Sequence, residues 1–420
     1  MLKDIIKFNS DMQSSINLNL DYKDEGKKLS YIPTKSSIEF IGDIIASFSN
    51  QNKTKAKILI GPYGKGKSHL ALYLMGLISD DNRSERKYNI LLNKALEASN
   101  NDEENNHYKS VNSFIKSQDK YLPVILNSTP YNNGLSDLLI YGLKKSLELN
   151  GLGDISLDFY FDKAIDKMKL WEKDYVETYK VFERLLDEDI NEFIAKLSSY
   201  NKEAYKKFEE LYKHITSGAE FEPLLSSNPI NIYKDVNEKI KEHGYKGIFV
   251  FYDEFSKYIE YLISNDAFLD IKLLQDFAEF CNRSKDQQVH LLLISHKNIS
   301  QYTGSLEKNK IDQWKAIEGR FEEIQYNDFT NQQYELISGS IKKDEKLWNE
   351  FILNNEETFE NLKNNMIVRN LFKDLSDDEF EKWVVYGAYP MNPITTYCLP
   401  RISEKVAQNE RTLFSFFYTS

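Results

Sequence analysis

The stretch Ala-Lys-Ile-Leu-Ile-Gly-Pro-Tyr-Gly-Lys-Gly-Lys-Ser, residues 56–68, decides the fold of this chain. It joins a short apolar segment, Ala56–Ile60, to a glycine-rich loop that ends in Lys67 and Ser68, and an apolar helix is predicted over Ser68–Leu77. In such a loop, successive backbone N–H groups can point at phosphate oxygens, and the helix N-terminus adds partial positive charge. The pattern Gly-x-x-x-x-Gly-Lys-Ser therefore predicts a phosphate-binding loop.

Each residue of the loop has a chemical role in this prediction. Lys67 is expected to reach the β- and γ-phosphates of ATP, and Ser68 is expected to ligate Mg²⁺. A glycine turn without a ligand is the alternative, and the order strand, loop, helix argues against it. The residues expected to contact the nucleotide are Gly61, Pro62, Tyr63, Gly64, Lys65, Gly66, Lys67, Ser68 and His69.

A second apolar segment, Ile248–Tyr252, ends in the two acids Asp253 and Glu254. An acid at the carboxyl end of a buried strand can hold the hydration shell of Mg²⁺. Because side chains alternate along an extended strand, the next acid points the other way and can polarise an attacking water. We therefore predict Asp253 as a metal residue and Glu254 as the general base.

A third apolar segment, His290–Ile294, runs into Ser295 and His296. A polar residue at the tip of that strand can orient the same water and sense the γ-phosphate, and both residues are candidates. A strand end that is merely capped by these side chains is the alternative.

Arg320 stands just before a further candidate strand, Phe321–Tyr326, whose apolar and polar residues alternate. An arginine there could reach the γ-phosphate held by a neighbouring subunit and stabilise the charge that develops during phosphoryl transfer. Gly319 is expected to let the backbone turn so that the guanidinium projects outward. An ion pair with Glu322 or Glu323 is the competing interpretation.

Composition limits the classes of protein that need to be considered. With 41% apolar residues the chain can bury a core, and the balance of 54 basic against 65 acidic residues argues against a basic coat for nucleic acid. The two cysteines, Cys281 and Cys398, provide no disulfide framework, which fits a reducing, cytoplasmic location. No apolar run approaches the ~20 residues of a membrane span, so no membrane partner is expected.

The apolar segments predict an α/β fold with a parallel sheet covered by helices, in which Phe321–Tyr326 is an edge strand. Residues 1–50 are interpreted as an N-terminal segment, 51–330 as the core with a helical insertion at 151–245, and 331–420 as a C-terminal helical domain. The predicted polar loop is Ser99–His107, the helix-rich stretches are Asp158–Lys213, Gln332–Ile341 and Asp377–Val385, and the central strands are Ala56–Ile60, Leu122–Leu126, Ile248–Tyr252 and His290–Ile294.

In this order the parts resemble the AAA+ branch of the additional-strand P-loop ATPases. Asp253–Glu260, Trp314–Ile324 and Leu399–Phe414 are similar to prokaryotic phage-defence ATPases of the BrxC/PglY type, which are related to origin-recognition ATPases. The resemblance implies a five-stranded sheet of order 5-1-4-3-2, a C-terminal lid, a homo-oligomer and a protein partner in antiviral defence. Members are usually much longer. Either the apolar tail Leu413–Ser420 is expected to dock on a partner or on the core, or the chain is the ATPase portion of a longer ancestral design.

Two functions are compatible with these residues. The first is an ATPase that works as a nucleotide-driven switch or remodeller in defence. The second is a nucleotide-gated scaffold that binds ATP with little turnover and recruits an effector or DNA. A small-molecule kinase is disfavoured, because a water-activating glutamate is counterproductive there. Contact with DNA remains an open alternative because of two groups of lysines, which are Lys53, Lys55 and Lys57, and Lys202, Lys206 and Lys207.

Overall fold

Seven strands lie within the described part of the chain. The computed structural model describes residues 2–8, 16–49, 53–62, 66–101, 107–126, 134–199, 201–221, 228–265, 267–303, 308–326 and 330–406. The loop residues Tyr63, Gly64 and Lys65 and the tail Leu413–Ser420 fall outside these ranges. The strands are β1 (Ile6–Phe8), β2 (Ala56–Ile60), β3 (Lys120–Leu126), β4 (Tyr245–Tyr252), β5 (Gln288–Ser295), β6 (Glu322–Gln325) and β7 (Ile341–Lys343).

Strands β2 to β6 form one parallel sheet, in which the neighbours follow the order β3, β4, β5, β2, β6. Almost every residue of β2, β3, β4 and β5 is buried, as their continuous apolar sequences predict, whereas β6 is half-buried and ends the sheet. The predicted α/β class and the parallel five-stranded sheet are confirmed. The alternating segment is an edge strand, and it is shorter than the predicted Phe321–Tyr326.

Helices supply most of the remaining structure. None of those described has the combination of length and apolarity needed to cross a bilayer. They are α1 (Leu2–Ile5), α2 (Leu18–Asp21), α3 (Glu25–Leu29), α4 (Lys35–Ser49), α5 (Lys67–Ser79), α6 (Asn89–Asn101), α7 (His107–Lys116), α8 (Leu135–Leu149), α9 (Gly153–Asp174), α10 (Val176–Leu186), α11 (Ile190–Ser198), α12 (Lys202–Ile215), α13 (Pro229–Ile240), α14 (Phe255–Ser264), α15 (Phe268–Arg283), α16 (Ile299–Thr303), α17 (Lys308–Glu318), α18 (Thr330–Ser340), α19 (Glu345–Asn354), α20 (Glu356–Lys363), α21 (Met366–Leu371), α22 (Asp377–Glu379) and α23 (Pro393–Val406), with a 3₁₀ turn at Lys241–His243 and a π-helix at Phe380–Gly387.

The chain divides into two units, and both are assembled from separated segments. The first unit comprises Met1–Asp119, Asp253–Glu260 and Leu292–Ser420. The second unit comprises Lys120–Tyr252 and Tyr261–Leu291. The first unit holds every residue that the sequence analysis nominates for nucleotide chemistry, because the loop, the acid pair, the tip of β5 and Arg320 all fall within its three segments.

Within the second unit, α9 to α12 form a bundle with its own apolar core. Phe182, Phe193 and Phe208 are completely buried there, and Trp171 stacks on Tyr212 with ring centroids 5.6 Å apart. The segment predicted as a helical insertion is therefore a packed helical module. Burial of large aromatic side chains is the main source of its stability.

Three further predicted elements differ from the structure. The loop predicted over the polar tract Ser99–His107 has incorrect bounds at both ends, because α6 continues to Asn101 and α7 begins at His107. The helix predicted over Asp377–Val385 is α-helical only in α22 and continues as the π-helix Phe380–Gly387, since apolar spacing does not encode the wider i→i+5 turn. The helix predicted to end at Ile341 ends one residue earlier, where β7 begins.

Strands β1 and β7 were not predicted and pair antiparallel, with Ile6 opposite Lys343 and Lys7 opposite Lys342. Each strand has three residues, which is too few for a two-residue period to be visible in the sequence.

Candidate functional site

The glycine-rich loop begins with Gly61 because no side chain fits at that position. Tyr326 donates its backbone N–H to the carbonyl oxygen of Ile60 at 2.6 Å, which draws the end of β2 against the residue that follows β6. A Cβ on Gly61 would lie 2.5 Å from the backbone oxygen of Tyr326. The N–H of Gly61 also donates to the carbonyl oxygen of Ser295 at 3.2 Å, so the start of the loop is fixed on both sides.

The loop ends with Gly66, which adopts a left-handed backbone conformation with φ +80°. This glycine is the N-cap of α5, and no side chain caps the helix. The first turn also lacks an acidic residue. Backbone N–H groups and the positive end of the helix dipole therefore lie at this end of the loop, and no acidic residue within the first turn of α5 itself neutralises them.

Lys67 is bent back over the beginning of the loop. It is only 5% exposed, and its ammonium donates hydrogen bonds to the carbonyl oxygens of Gly61 (2.6 Å) and Pro62. Burial of a lysine requires such acceptors. Phosphate oxygens are stronger, charged acceptors than these carbonyls, so a nucleotide could replace them as the partner of Lys67.

Asp253 lies beside the first turn of α5, where the hydroxyl of Ser68 hydrogen-bonds its carboxylate. The backbone N–H of Glu254 donates to Asp253 Oδ1 at 2.9 Å. Burial raises the pKa of Asp253 above its usual value, against the opposing effects of these two hydrogen bonds and of the Lys67 charge. The structure thus brings together the two residues predicted for the metal.

The donor set of Ser68 and Asp253 fits Mg²⁺. A hydroxyl and a carboxylate are hard oxygen ligands, and Mg²⁺ in nucleotide sites usually takes only one or two protein ligands beside water and phosphate. Over the residues that the structure describes, no group of three or more histidine, cysteine, aspartate or glutamate side chains is placed to hold a metal. The metal would therefore depend on the phosphates for part of its coordination.

Glu254 is placed differently from the prediction. Strand β4 ends at Tyr252, and Glu254 lies in the following turn with a left-handed φ of +53°. The alternation of side chains along an extended strand therefore does not apply to the acid pair. The carboxylate of Glu254 is exposed and accepts a hydrogen bond from Lys257 Nζ at 2.5 Å.

Ser295 fits the alternative interpretation of a capped strand end. Its side chain is completely buried, and its hydroxyl donates to the carbonyl oxygen of Lys297 at 2.7 Å. The same hydroxyl lies 3.1 Å from the hydroxyl of Ser256. Ser295 thus closes the turn after β5 and links it to the start of α14.

His296 lies close to the start of the glycine-rich loop, near Gly61 and Lys67. Its backbone N–H donates to Ser256 Oγ at 2.9 Å. Burial, followed by the positive charge of Lys67, lowers the pKa of His296 to about 4. At neutral pH the ring is uncharged and lies near Lys67 and Glu254, as a water-orienting residue requires.

His69 turns its side chain away from the loop, and the nucleotide contact expected at this residue remains a prediction. Its ring lies 2.9 Å from the carbonyl oxygen of Lys27 and 3.3 Å from Ser30 Oγ, and it contacts Tyr31 edge-on. The side chain packs α5 against the segment that follows α3. Only the backbone N–H of His69, in the first turn of the helix, is left as a candidate phosphate donor.

Arg320 follows α17, and its guanidinium donates to the carbonyl oxygen of Ala316. Gly319 has no positive φ, so the turn before Arg320 does not depend on glycine, contrary to the prediction. Of the two acids proposed as ion-pair partners, Glu322 is engaged by the buried side chain of Lys57.

The first lysine cluster does not form an exposed basic track, which corrects one basis for DNA contact. Lys55 and Lys57 are buried, and Lys57 pairs with Glu322, which lies directly opposite it in the neighbouring strand. Lys53 pairs with Asp43 at 2.9 Å. Lys57 thus joins two strands of the sheet, and of the three lysines only Lys53 is partly exposed.

In the helical module, Lys206 is exposed and Lys207 pairs with Glu188 at 2.9 Å. The side chain of Lys202 is outside the described part of the structure.

Two residues of the site were missed by sequence reasoning, Ser256 and Lys257, which join the acid pair to its surroundings. Their position directly after Asp253 and Glu254 was the one available signal.

Comparison of the chain with protein-family models, with curated proteins and with solved structures gave no match. The functional argument therefore depends on the geometry of the site itself.

Proposed function

We propose that this chain binds ATP together with Mg²⁺ and hydrolyses the ATP to ADP and phosphate. The observation that carries the proposal is the hydrogen bond between Ser68 and Asp253 beside the ammonium of Lys67. Ser68 and Asp253 are 185 positions apart in the sequence, yet this hydroxyl and partly buried acid meet beside a buried lysine, at a helix N-terminus that no side chain caps. Nucleotide phosphates with a divalent cation need this combination.

Each side chain has a defined task in the proposed reaction. Lys67 and the N–H groups at the start of α5 bind the phosphates, and Ser68 and Asp253 would hold Mg²⁺, which supplies charge neutralisation at the β- and γ-phosphates when bound. Glu254 accepts the proton of the attacking water. Neutral His296, which lies near Gly61 and Lys67, orients that water without adding charge.

The order of the sheet supports the proposal of an AAA+-like P-loop ATPase. Strand β2, which carries the loop, has β5 on one side and β6 on the other, and β4 and β3 continue beyond β5. Numbered within the sheet, this is the order 5-1-4-3-2 that the resemblance implies. Membership of the defence ATPases and a protein partner are further parts of the proposal, and they rest on the three similar stretches. A homo-oligomer rests on the resemblance and on the position of Arg320, and DNA contact rests on the lysines of the helical module.

A nucleotide-gated scaffold with little turnover is the second candidate, and one observation favours it. The general base Glu254 is exposed and ion-paired, and Lys67 is held by loop carbonyls. Both groups must change partners before hydrolysis. Single-turnover measurements separate the candidates, because a scaffold binds ATP tightly with Mg²⁺ and releases phosphate far more slowly than it exchanges nucleotide.

The decisive experiment measures phosphate release and ATP binding for the wild type, Lys67→Ala and Glu254→Gln. We expect Lys67→Ala to lose binding, and Glu254→Gln to bind ATP while losing at least about 100-fold in kcat, the usual contribution of a general base. Glu242→Gln, an exposed substitution of the same kind, is the control. Unchanged hydrolysis by Glu254→Gln would refute its role as base, and unchanged binding by Lys67→Ala would move the site elsewhere.

A further inference from the structure

The ion pair between Glu254 and Lys257 is built by the backbone at the start of α14. The left-handed conformation of Glu254 turns the backbone away from the direction of β4. The N–H of Lys257 donates to the carbonyl oxygen of Glu254 at 3.0 Å. This turn places the two side chains three residues apart, with Lys257 Nζ at 2.5 Å from Glu254 Oε2. The carboxylate proposed as general base is therefore already engaged by its own neighbour.

Ser256, which lies between Glu254 and Lys257 in the sequence, holds this turn in place. Ser256 is buried, and its hydroxyl accepts the N–H of His296 at 2.9 Å and lies 3.1 Å from Ser295 Oγ. The start of α14 is thus bonded to the turn after β5. Because the backbone on both sides is held, the conformational freedom that remains belongs to the side chains of Glu254 and Lys257.

The charge of Lys257 also reaches the centre of the site. Together with Lys67 it opposes protonation of His296, whereas Glu254 favours it. The charged and titratable groups around the base are thus Lys67, Asp253, His296 and Lys257. Lys257 bonds the carboxylate of Glu254, whereas the ammonium of Lys67 donates to the carbonyl oxygens of Gly61 and Pro62.

We propose that Lys257 is a positioning residue that restrains Glu254, so that release of this ion pair is a step before hydrolysis. The inference rests on the proposed function and adds a regulatory element to the same site. While the carboxylate is held by Lys257, it is turned to the helix; once released, it can reach a water at the γ-phosphate. An anionic phosphate or a partner that attracts Lys257 would release the base.

The strength of the pair sets the size of the effect. Exposed ion pairs contribute about 1 kcal/mol or less, which corresponds to a factor of up to about five in an equilibrium constant. If the base is productive only when released, the restraint lowers kcat by that factor. It leaves ATP binding unchanged, because the phosphate ligands are other residues.

The test compares steady-state ATPase kinetics of the wild type, Lys257→Met and Lys257→Arg. We expect Lys257→Met to raise kcat about two- to fivefold with an unchanged KM for ATP, and Lys257→Arg to restore the pair and the wild-type rate. Lys180→Met removes a pair of the same i,i+3 spacing, with Glu177, and should leave kcat unchanged. Melting curves verify that all variants fold.

Glu254→Gln separates the inference from the function on which it rests. If Glu254→Gln is inactive and Lys257→Met is no faster than the wild type, the restraint is refuted and the proposed ATPase stands. If Glu254→Gln, alone or combined with Lys257→Met, hydrolyses ATP at the rate of its parent, the base assignment fails. Absence of hydrolysis in every variant refutes both, and a gain that Lys257→Arg also shows contradicts the ion pair as its cause.

Discussion

Asp253 shows how a single carboxyl can serve binding at the expense of stability. Burial raises its pKa, so the fold disfavours the ionised form that a metal requires. A group whose pKa is higher in the folded than in the unfolded protein contributes most to the free energy of unfolding below its unfolded-state pKa. That contribution is lost as the pH rises through the folded-state pKa. At neutral pH the nominated metal residue is therefore a local weakness that ligand binding would relieve.

We accordingly expect Asp253→Asn to raise the melting temperature without nucleotide by about 1–3 °C at pH 7.5. Asparagine has the same shape and no charge to bury. The same variant should lose the melting shift that Mg²⁺ and ATP give the wild type. Scanning fluorimetry measures both, with the exposed Asp276→Asn as the control. A lower melting temperature together with an intact ligand shift would contradict the assignment.

His296 makes a pH-dependent contribution of the opposite sense. Its pKa is lowered to about 4 from a usual 6.5, so its contribution to stability is complete above about pH 6.5 and is lost as the pH falls toward 4. His296→Gln removes the titrating group. We expect its melting temperature to fall less than that of the wild type between pH 7 and pH 4.5. His243→Gln, at an exposed histidine, should follow the wild type.

At this scale, residue type and spacing predicted Lys67, Ser68, Asp253 and His296, which the structure brings together in the first unit. The left-handed turn at Glu254 could not be predicted, because that conformation is uncommon outside glycine and asparagine. The inward packing of His69 depends on a segment about 40 residues earlier, and no local pattern reports such a contact.

The contact between strands β2 and β6 depends on the absence of a side chain at Gly61. A methyl group at this position would press on the backbone of Tyr326, which a side-chain rotation cannot relieve. We expect Gly61→Ala to cost about 1–3 kcal/mol in the free energy of unfolding, the usual range for overpacking. Gly319→Ala meets only an ordinary contact with the Lys315 carbonyl oxygen and is the matched control. Equal denaturation midpoints for the two variants would rule out the steric explanation.

The elements themselves were predictable to unequal degrees. Strands β2 to β5 follow from their nearly continuous apolar sequences, because burial on both faces favours apolar residues at most positions. The π-helix at Phe380–Gly387 has no such signature: its Gly387 packs so tightly that a Cβ would lie 2.0 Å from Ser338 Oγ. That fit depends on another helix and is not written in the local sequence.

For the whole molecule we predict linkage between folding and nucleotide. A ligand present at about 100 times its Kd adds about 2.7 kcal/mol to the free energy of unfolding. Mg²⁺ and ATP should therefore raise the melting temperature of the wild type by a few degrees, and not that of Lys67→Ala.

Arg320→Ala should keep this melting shift while losing most ATP hydrolysis, if Arg320 acts on a neighbouring subunit. Full activity of a monomeric Arg320→Ala protein would exclude that role.

The division into units has a consequence for how the protein is made. On the ribosome, residues up to Leu291 complete the second unit, so its helical module can fold while synthesis continues. The first unit must wait: the hydrogen bond between the hydroxyls of Tyr31 and Tyr326 joins positions 295 residues apart. Until the later segment emerges, β2 lacks its partner β6, and its apolar residues are open to aggregation. We therefore expect the unpaired β2 to be the segment at which a chaperone would act during synthesis.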